Sequence, residues 1–157
     1  RWAEMAAFPP VMRTHEGNRP DDCWQFDGDD ETLEHLARMT NVYVTLAPYT
    51  KELVKLNARK GIPLQRPLFL HDEEDEAAYD QQYQYLYGPD LLVAPVYLPE
   101  RETWDVYLPK GEWVHLWSEE RYEGRDTVTV EAGLGRPPVF YRAGSAFEPL
   151  FQAAAKL

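Results

Sequence analysis

The sequence lacks the features of a membrane-spanning, disulfide-stabilised or nucleic-acid-binding protein. No apolar run in its 157 residues approaches 18, so no membrane helix is predicted. Cys23 is the single cysteine, which excludes an internal disulfide and a multi-cysteine zinc site and fits a reducing, cytoplasmic compartment. A net charge of −11, from 16 basic and 27 acidic residues, argues against nucleic acid or an anionic membrane as the main partner.

Several functional motifs are also missing. There is no phosphate-binding loop, GxGxxG fingerprint, nucleophile elbow or HExxH pair, so neither a nucleotide cofactor nor a catalytic metal is predicted. The first residues, RWAEMAAFPP, lack the basic and long apolar regions of a secretory leader. They lack an initiator Met and read as helical from the start. We therefore expect the sequence to be a piece of a longer protein.

The first half of the sequence alternates between helical and strand patterns. A helix is predicted over 2–8 and, beyond Pro9 and Pro10, a short buried strand over 11–14. Asp29 or Asp30 is expected to cap a long helix, which Pro48 should kink or break and Gly61 should end.

The same alternation continues to Gly88. A second buried strand is predicted over 64–70, although Pro67 argues against a central position in a sheet. Tyr79, Tyr83, Leu86 and Tyr87 recur at helical spacing, so a helix is predicted over 77–87. Residues 1–88 therefore have the order of an α/β domain.

Beyond Gly88 the hydrophobic period changes to two, which predicts β-strands. The turn PKG at 109–111 separates two of them, and the tail 147–157 is weakly helical. An antiparallel β-sandwich is thus predicted for residues 89–157. Its expected strands cover 90–98, 103–108, 112–117, 126–132 and 137–144.

Polar, chemically capable side chains crowd the end of the predicted strand 11–14. In a parallel barrel, the loops after the strand C-termini carry the active site, and Arg13, Thr14 and His15 would occupy that position. We therefore regard Arg13 and His15 as candidate ligand-binding residues. Two alternatives stay open: His15 as a core histidine, and Arg13 as a structural partner of a buried carboxylate.

The other candidate residues favour structural roles. The acids that follow His15 would be solvated or capping rather than paired catalytic carboxylates, and Trp24 would pack rather than stack on a sugar. His35 is expected on the outer surface of its helix, His71 has only adjacent acids for a metal site, and His115 should be structural. The sandwich tryptophans could form a carbohydrate-binding face, but core positions are favoured. These acids and tryptophans are Glu16, Asp21, Asp22, Asp27, Trp104, Trp113 and Trp117.

Three long segments resemble glycoside hydrolase family 31, the α-glucosidase-like retaining enzymes. They are RWAEMAAFPPVMRTH, GIPLQRPLFLHDEEDEAAYDQQYQYLYGPDLLVAPV and WDVYLPKGEWVHLWSEERYEG, together with PPVFYRAGS. The variant MRTHEGNRPDDCWQFD replaces the commoner Arg-Asn-His-Asn and resembles the sulfoquinovosidase subgroup, which cleaves α-glycosides of a sulfonated glucose. The resemblance covers almost the whole sequence.

The resemblance implies a fold and a division of roles. Residues 1–88 would be the last βα units of a (β/α)8 catalytic barrel, and 89–157 the antiparallel β-sandwich behind it. His15 matches the family histidine that hydrogen-bonds hydroxyls of the cleaved sugar, and Arg13 matches an arginine beside that pocket. The nucleophile and the acid/base aspartates lie upstream in the family, so this chain would hold no catalytic residue and be inactive alone.

The implied partners are an α-glycoside substrate and the remainder of the same enzyme, and the chemistry needs no cofactor or metal. Three alternatives remain open at this point. The enzyme could be an α-glucosidase or α-xylosidase of the same family. The chain could instead be a non-catalytic carbohydrate-binding module, or a purely structural domain.

Overall fold

A computed structural model describes residues 1–15, 18–23 and 25–157 of the chain. Within these ranges the α-helices are α1 (Trp2–Ala6), α2 (Asp30–Thr45), α3 (Ala47–Lys60), α4 (Glu76–Tyr79) and α5 (Glu148–Ala155). Two short 3₁₀ turns cover Pro20–Asp22 and Leu68–Leu70. The strands are β1 (Gln65–Arg66), β2 (Tyr85–Tyr87), β3 (Leu91–Val93), β4 (Thr103–Leu108), β5 (Glu112–His115), β6 (Arg121–Glu123), β7 (Asp126–Glu131) and β8 (Val139–Arg142).

The strands form two antiparallel sheets. The larger sheet has six strands in the order β1-β2-β3-β8-β5-β6, and β4 pairs with β7 in a separate two-stranded sheet. Every recorded strand pair of the described chain is antiparallel. The molecule is therefore a mixed, sheet-rich fold in which the predicted antiparallel arrangement of the second half is confirmed.

The six-stranded sheet separates two hydrophobic cores. Alternate residues of one strand point to opposite faces, so Val114 packs towards the helices while Trp113 packs towards β4 and β7. Likewise Tyr141 faces the helices and Phe140 the two-stranded sheet. Both side chains of each pair are buried, because helices cover one face and a β-ribbon covers the other.

The helix boundaries follow the predicted signals. The Asp29 side chain accepts a hydrogen bond from the Thr32 backbone N–H at 2.6 Å, which caps α2. Leu46 ends α2 and begins α3, and Pro48 lies in the first turn of α3, where its missing N–H costs nothing. Gly61 ends α3 with φ of 70°, a conformation that glycine adopts without strain.

The predicted buried strand over 11–14 is wrong. Residues 11–15 lie outside every helix and strand, and the Val11 side chain is 70% exposed. An apolar run forms a strand only where a neighbouring strand supplies hydrogen bonds. No strand within the described ranges pairs with this segment.

Of the strand predicted over 64–70, the structure contains only the two residues of β1, Gln65–Arg66. Gln65 and Arg66 pair with β2, and the pairing is antiparallel rather than parallel. Pro67 has no N–H to donate to a ladder, and the chain turns there into the 3₁₀ turn Leu68–Leu70.

The predicted helix over 77–87 stops at Tyr79. Tertiary contacts override its helical spacing: the Gln84 amide both donates to and accepts from the Tyr107 backbone, at 2.8 and 3.0 Å. Leu86 then faces one core and Tyr87 the other, which only a strand permits. Residues Arg121–Glu123 form an additional edge strand, β6.

The hydroxyl of Tyr49 joins α3 to the turn between β2 and β3. It donates to the Tyr87 carbonyl at 2.8 Å and accepts from the Asp90 backbone N–H at 3.1 Å. A Cβ on Gly88, whose φ is +66°, would overlap this hydroxyl. The Tyr49 ring also makes edge contacts with Phe147 and other aromatic rings of the helical core. Burial is the main reason why the pKa of Tyr49 is raised.

His115 is buried against the two-stranded sheet, as its structural assignment requires. The side chain is only 4% exposed, and Nδ1 lies 2.9 Å from the Ser118 hydroxyl. Burial lowers the pKa of His115 to about 4, with Glu120 opposing the shift. The folded chain therefore holds this imidazole neutral over the physiological pH range.

We expect Tyr49→Phe to lower the free energy of unfolding by about 1–3 kcal/mol, because two buried backbone groups lose their partner. Urea unfolding measures this change. Tyr79→Phe is the matched control, since Tyr79 is 54% exposed although its hydroxyl also reaches a backbone carbonyl. Equal stability of the two variants would contradict the role assigned to Tyr49.

We also expect His115 to make the chain less stable in mild acid. The unfolded chain binds a proton at this group below pH 6.5, whereas the folded chain binds it only below about pH 4. Stability contributed by the neutral form is thus present above pH 6.5 and is lost as the pH falls from 6.5 to 4. Between pH 7 and 5 the loss is about 2 kcal/mol. Urea unfolding should show a smaller loss for His115→Gln, and an identical pH dependence would refute the assignment.

Candidate functional site

A cleft of about 920 Å³ lies between α1, the segment 11–15 and the start of α2. Arg13, Thr14 and His15 line it, and all three side chains are exposed. The opposite wall includes Glu31 and His35 of α2. The structure thus brings both predicted ligand-binding residues, Arg13 and His15, into one cleft.

The segment that carries Arg13 and His15 is anchored just before it enters the cleft. Phe8 is fully buried in the helical core, and Met12 packs against the same core. The Tyr43 hydroxyl of α2 donates to the Pro10 carbonyl at 2.9 Å. The backbone leading to Arg13 is therefore held by packing and a hydrogen bond although it belongs to no strand.

His35 lines the cleft rather than the outer surface, so the surface prediction for this histidine is wrong. It is half-buried, and its Nε2 has no hydrogen-bond partner among the residues that the structure describes. Burial is the main cause that lowers the pKa of His35; Arg38 and Arg1 act in the same direction, and Glu4 opposes them. An imidazole with one buried nitrogen that lacks a hydrogen-bond partner among the described residues therefore lies in the wall of the cleft.

Glu4 connects the cleft to the second half of the chain. Its side chain is 2% exposed, and Oε1 accepts a hydrogen bond from the Gly135 backbone N–H at 2.6 Å. Its Oε2 pairs with Arg1 at 3.3 Å. A buried carboxylate needs such partners, so Glu4 ties the loop that contains Gly135 to α1.

The loop around Gly135 is clamped from α2 as well. The Arg38 guanidinium donates to the Gly135 carbonyl at 2.6 Å and stacks over Trp117 at 5.3 Å. Gly135 has φ of +85°, and a Cβ there would approach Arg38 to 2.6 Å. The neighbouring Leu134, which is 53% exposed, is thereby placed at the rim of the cleft.

The remaining predicted loop residues do not form a catalytic pair within the described ranges. Asp21, Asp22 and Asp27 are exposed, and Asp22 faces the Arg19 side chain at 3.7 Å. Glu16 and Trp24 lie outside the residues that the structure describes.

The three tryptophans that follow residue 88 do not share one face. Trp113 is fully buried and donates to the Pro109 carbonyl at 2.7 Å, as the core prediction requires. Trp117 packs against the helical core under Arg38. Trp104 is half-buried beside the exposed ring of Tyr97, with centroids 5.0 Å apart.

The described residues offer neither a membrane-spanning helix nor a metal-binding cluster. None of the described helices is long and apolar enough to cross a membrane. Across residues 1–15, 18–23 and 25–157 there is no group of three or more His, Cys, Asp or Glu side chains arranged to hold a metal ion.

The antiparallel sheet and its connections belong to a known family. Residues 61–147 match the family model described as the glycosyl hydrolase family 31 C-terminal domain, which covers more than half of the chain. The chain therefore belongs to glycoside hydrolase family 31, and the family resemblance inferred from its sequence segments is confirmed.

Two relatives within that family are sulfoquinovosidases that align with almost the whole chain. The chain is 58% identical over 151 residues to the sulfoquinovosidase of Escherichia coli K12, and covers 22% of that protein. It is 56% identical over 153 residues to the sulfoquinovosidase of Agrobacterium fabrum. These alignments take in 96% and 97% of the chain, which spans less than a quarter of either relative.

A solved structure shares the fold at high similarity. The chain superposes with a TM-score of 0.95 on a family 31 sulfoquinovosidase from E. rectale, in complex with the aza-sugar inhibitor IFGSQ, at 56% identity. The match covers 99% of this chain and 23% of that one. An α-xylosidase from Saccharolobus solfataricus is 32% identical over 146 residues.

Sequence reasoning missed the groups that hold the cleft together. Glu4 is one acid in a short helix, and nothing in the sequence marks its partner 131 residues away as Gly135. His35 is misplaced because helical periodicity alone does not show which face meets a distant loop. The Gly-rich string AGLGRP at 132–137 is the one signal that a tight backbone approach occurs there.

We expect Glu4→Ala to lower the free energy of unfolding by about 1–3 kcal/mol, because the buried Gly135 N–H loses its acceptor. Glu52→Ala is the matched control: Glu52 pairs with Lys55 on the surface of α3, at 50% and 63% exposure. Exposed pairs contribute about 0–1 kcal/mol. Chemical unfolding measures the stability of both variants. A Glu4→Ala variant as stable as Glu52→Ala would rule out a stabilising role for the hydrogen bond between Glu4 and Gly135.

Proposed function

We propose that this chain is the C-terminal part of a retaining α-glycosidase that hydrolyses α-sulfoquinovosides. The observation that carries the proposal is the 58% identity to a sulfoquinovosidase across 96% of the chain. Relatives named for other sugars, such as the α-xylosidase at 32%, are much less similar.

In this proposal residues 1–88 are the last βα units of a (β/α)8 barrel and residues 89–157 form the β-sandwich behind it. The exposed apolar side chains around the cleft support the proposal that another part of the enzyme packs against this surface. Trp2 is 80% exposed, Val11 70% and Leu134 53%, whereas residues of this kind are normally covered in a finished enzyme. The remainder of the barrel would pack over this cleft and bury these groups.

The proposed chemistry is a double displacement. An aspartate outside this chain attacks the anomeric carbon while a second carboxylic acid protonates the leaving oxygen, and water then hydrolyses the covalent glycosyl-enzyme. No catalytic carboxylate is assigned to this chain, and no cofactor is required.

His15 and Arg13 are the substrate-binding residues of the proposal. Both line the same cleft with exposed side chains, so both can reach a ligand. The imidazole of His15 would hydrogen-bond sugar hydroxyls, and those bonds would strengthen as positive charge develops on the ring. Arg13 would lie beside the same sugar. The single, exposed Cys23 is consistent with a cytoplasmic enzyme.

We expect His15→Ala in the full-length enzyme to lower kcat/KM for 4-nitrophenyl α-sulfoquinovoside by about a hundredfold. Loss of one preorganised donor typically costs about 2–4 kcal/mol of transition-state stabilisation. Steady-state hydrolysis measures it, with Glu52→Ala as the control for an exposed residue that does not line the cleft. A change of less than about threefold would refute the role of His15.

The sugar preference is tested with the same wild-type enzyme. The 4-nitrophenyl α-glucoside and α-xyloside differ from the sulfoquinovoside at the sixth carbon, so the ratios of kcat/KM isolate recognition of that group. Faster hydrolysis of either neutral substrate would overturn the sulfoquinovosidase assignment. Absence of hydrolysis of all three would overturn the glycosidase assignment as well.

A further inference from the structure

A second cleft on the β-sheet half of the chain is lined by exposed aromatic rings. It has a volume of about 550 Å³ and is formed by the turn 80–84, the loop 97–101 and the start of β4. Tyr83 is 53% exposed, Tyr97 56%, and Trp104 is half-buried. We call these three side chains the aromatic platform. Neither Arg13 nor His15 lines this cleft.

The rings of the aromatic platform touch one another. The Tyr83 and Tyr97 centroids are 4.5 Å apart at an interplanar angle of 49°, and Tyr97 meets Trp104 edge-to-face at 5.0 Å. Three contacting aromatic side chains, two of them exposed and one half-buried, form an apolar patch of the kind that marks a binding surface.

The cleft is held in place by hydrogen bonds to its supports. Gln84 fixes the turn 80–84 to the Tyr107 backbone through both ends of its amide. Trp104 lies in β4 opposite Val130 of β7 and packs on the buried inter-sheet core. The platform is therefore built before any ligand arrives, which lowers the entropic cost of binding.

Polar groups surround the aromatic rings. The cleft is also lined by Asp80, Gln82 and Asp105, with Arg101 as a cation. Two carboxylates against one guanidinium leave the rim with net negative charge, in a chain whose net charge is −11. Such a rim can accept hydrogen bonds from hydroxyls through its carboxylates and donate hydrogen bonds to hydroxyls through its amide and guanidinium groups. Its net negative charge repels sulfonate and phosphate groups.

We infer that the aromatic platform binds an uncharged saccharide. The apolar C–H face of a pyranose would pack on Tyr97 and its neighbouring rings, and its hydroxyls would meet the carboxylates and amides of the rim. The inference goes beyond the proposed hydrolysis, since it assigns a ligand class to residues that the proposed reaction does not use.

The test is calorimetric titration of the full-length protein with maltotriose. Wild type should bind saturably, Tyr97→Ala should bind about tenfold more weakly or worse, and Tyr97→Phe, which keeps the ring, should stay within about threefold of wild type. Phe69→Ala is the matched control: Phe69 is 36% exposed and stacked on Tyr79, and does not line the cleft. An unchanged thermal unfolding midpoint shows that Tyr97→Ala is folded, and Tyr83→Ala replaces it if the midpoint drops.

Charge selectivity supplies the second measurement. Titration with glucose 6-sulfate should give no component that depends on Tyr97. The inference is overturned if wild type fails to bind maltotriose, as it would if another part of the protein covered the platform. It is also overturned if Tyr97→Ala binds within about twofold of wild type. Because His15 hydrolysis rates test the glycosidase proposal separately, either result leaves that proposal unaffected.

Discussion

The hydroxyl of Tyr49 links the helical part of the fold to the six-stranded sheet, and the relative position of the two depends on this contact. It satisfies the Tyr87 carbonyl and the Asp90 N–H in the turn between β2 and β3, and it fits only because Gly88 has no side chain. With the Tyr49 ring packed in the helical core, helices and sheet cannot shift relative to one another without breaking both contacts. That junction therefore fixes α3 against the turn between β2 and β3.

A second junction positions the candidate site. Glu4 of α1 accepts a hydrogen bond from the backbone N–H of Gly135, and Arg38 of α2 donates one to the backbone carbonyl of the same residue. This arrangement brings a loop of the β-sheet half to the rim of the cleft that holds Arg13 and His15. A buried carboxylate with a backbone partner is costly to disturb, so the clamp supports the cleft although it takes no part in the proposed chemistry.

The open character of this cleft agrees with the proposal that the chain acts within a larger enzyme. The chain spans 22% of the Escherichia coli sulfoquinovosidase, and Val11, an apolar residue of the segment leading to the cleft, is 70% exposed. The aromatic platform differs, because Asp80, Gln82, Arg101 and Asp105 frame its rings, and Leu98 is the only aliphatic side chain among the described residues that line this cleft. The exposed apolar side chains at the rim of the first cleft suit a neighbouring protein segment, whereas the polar frame of the platform suits a hydroxyl-rich ligand.

The amino-acid sequence alone predicted the family, the helices from Asp29 to Gly61, the alternating strands β4 and β7, and the position of Arg13 and His15 at the end of an apolar run. Those features depend on local signals: caps, prolines, glycines, period-two patterns and ordered motifs. Tertiary structure decided the rest. Residues 11–14 form no strand without a paired neighbour, 85–87 leave the helical pattern because Gln84 is bound by Tyr107, and His35 faces the cleft because Gly135 docks beside it. Each outcome depends on a partner distant in sequence, which local periodicity does not contain.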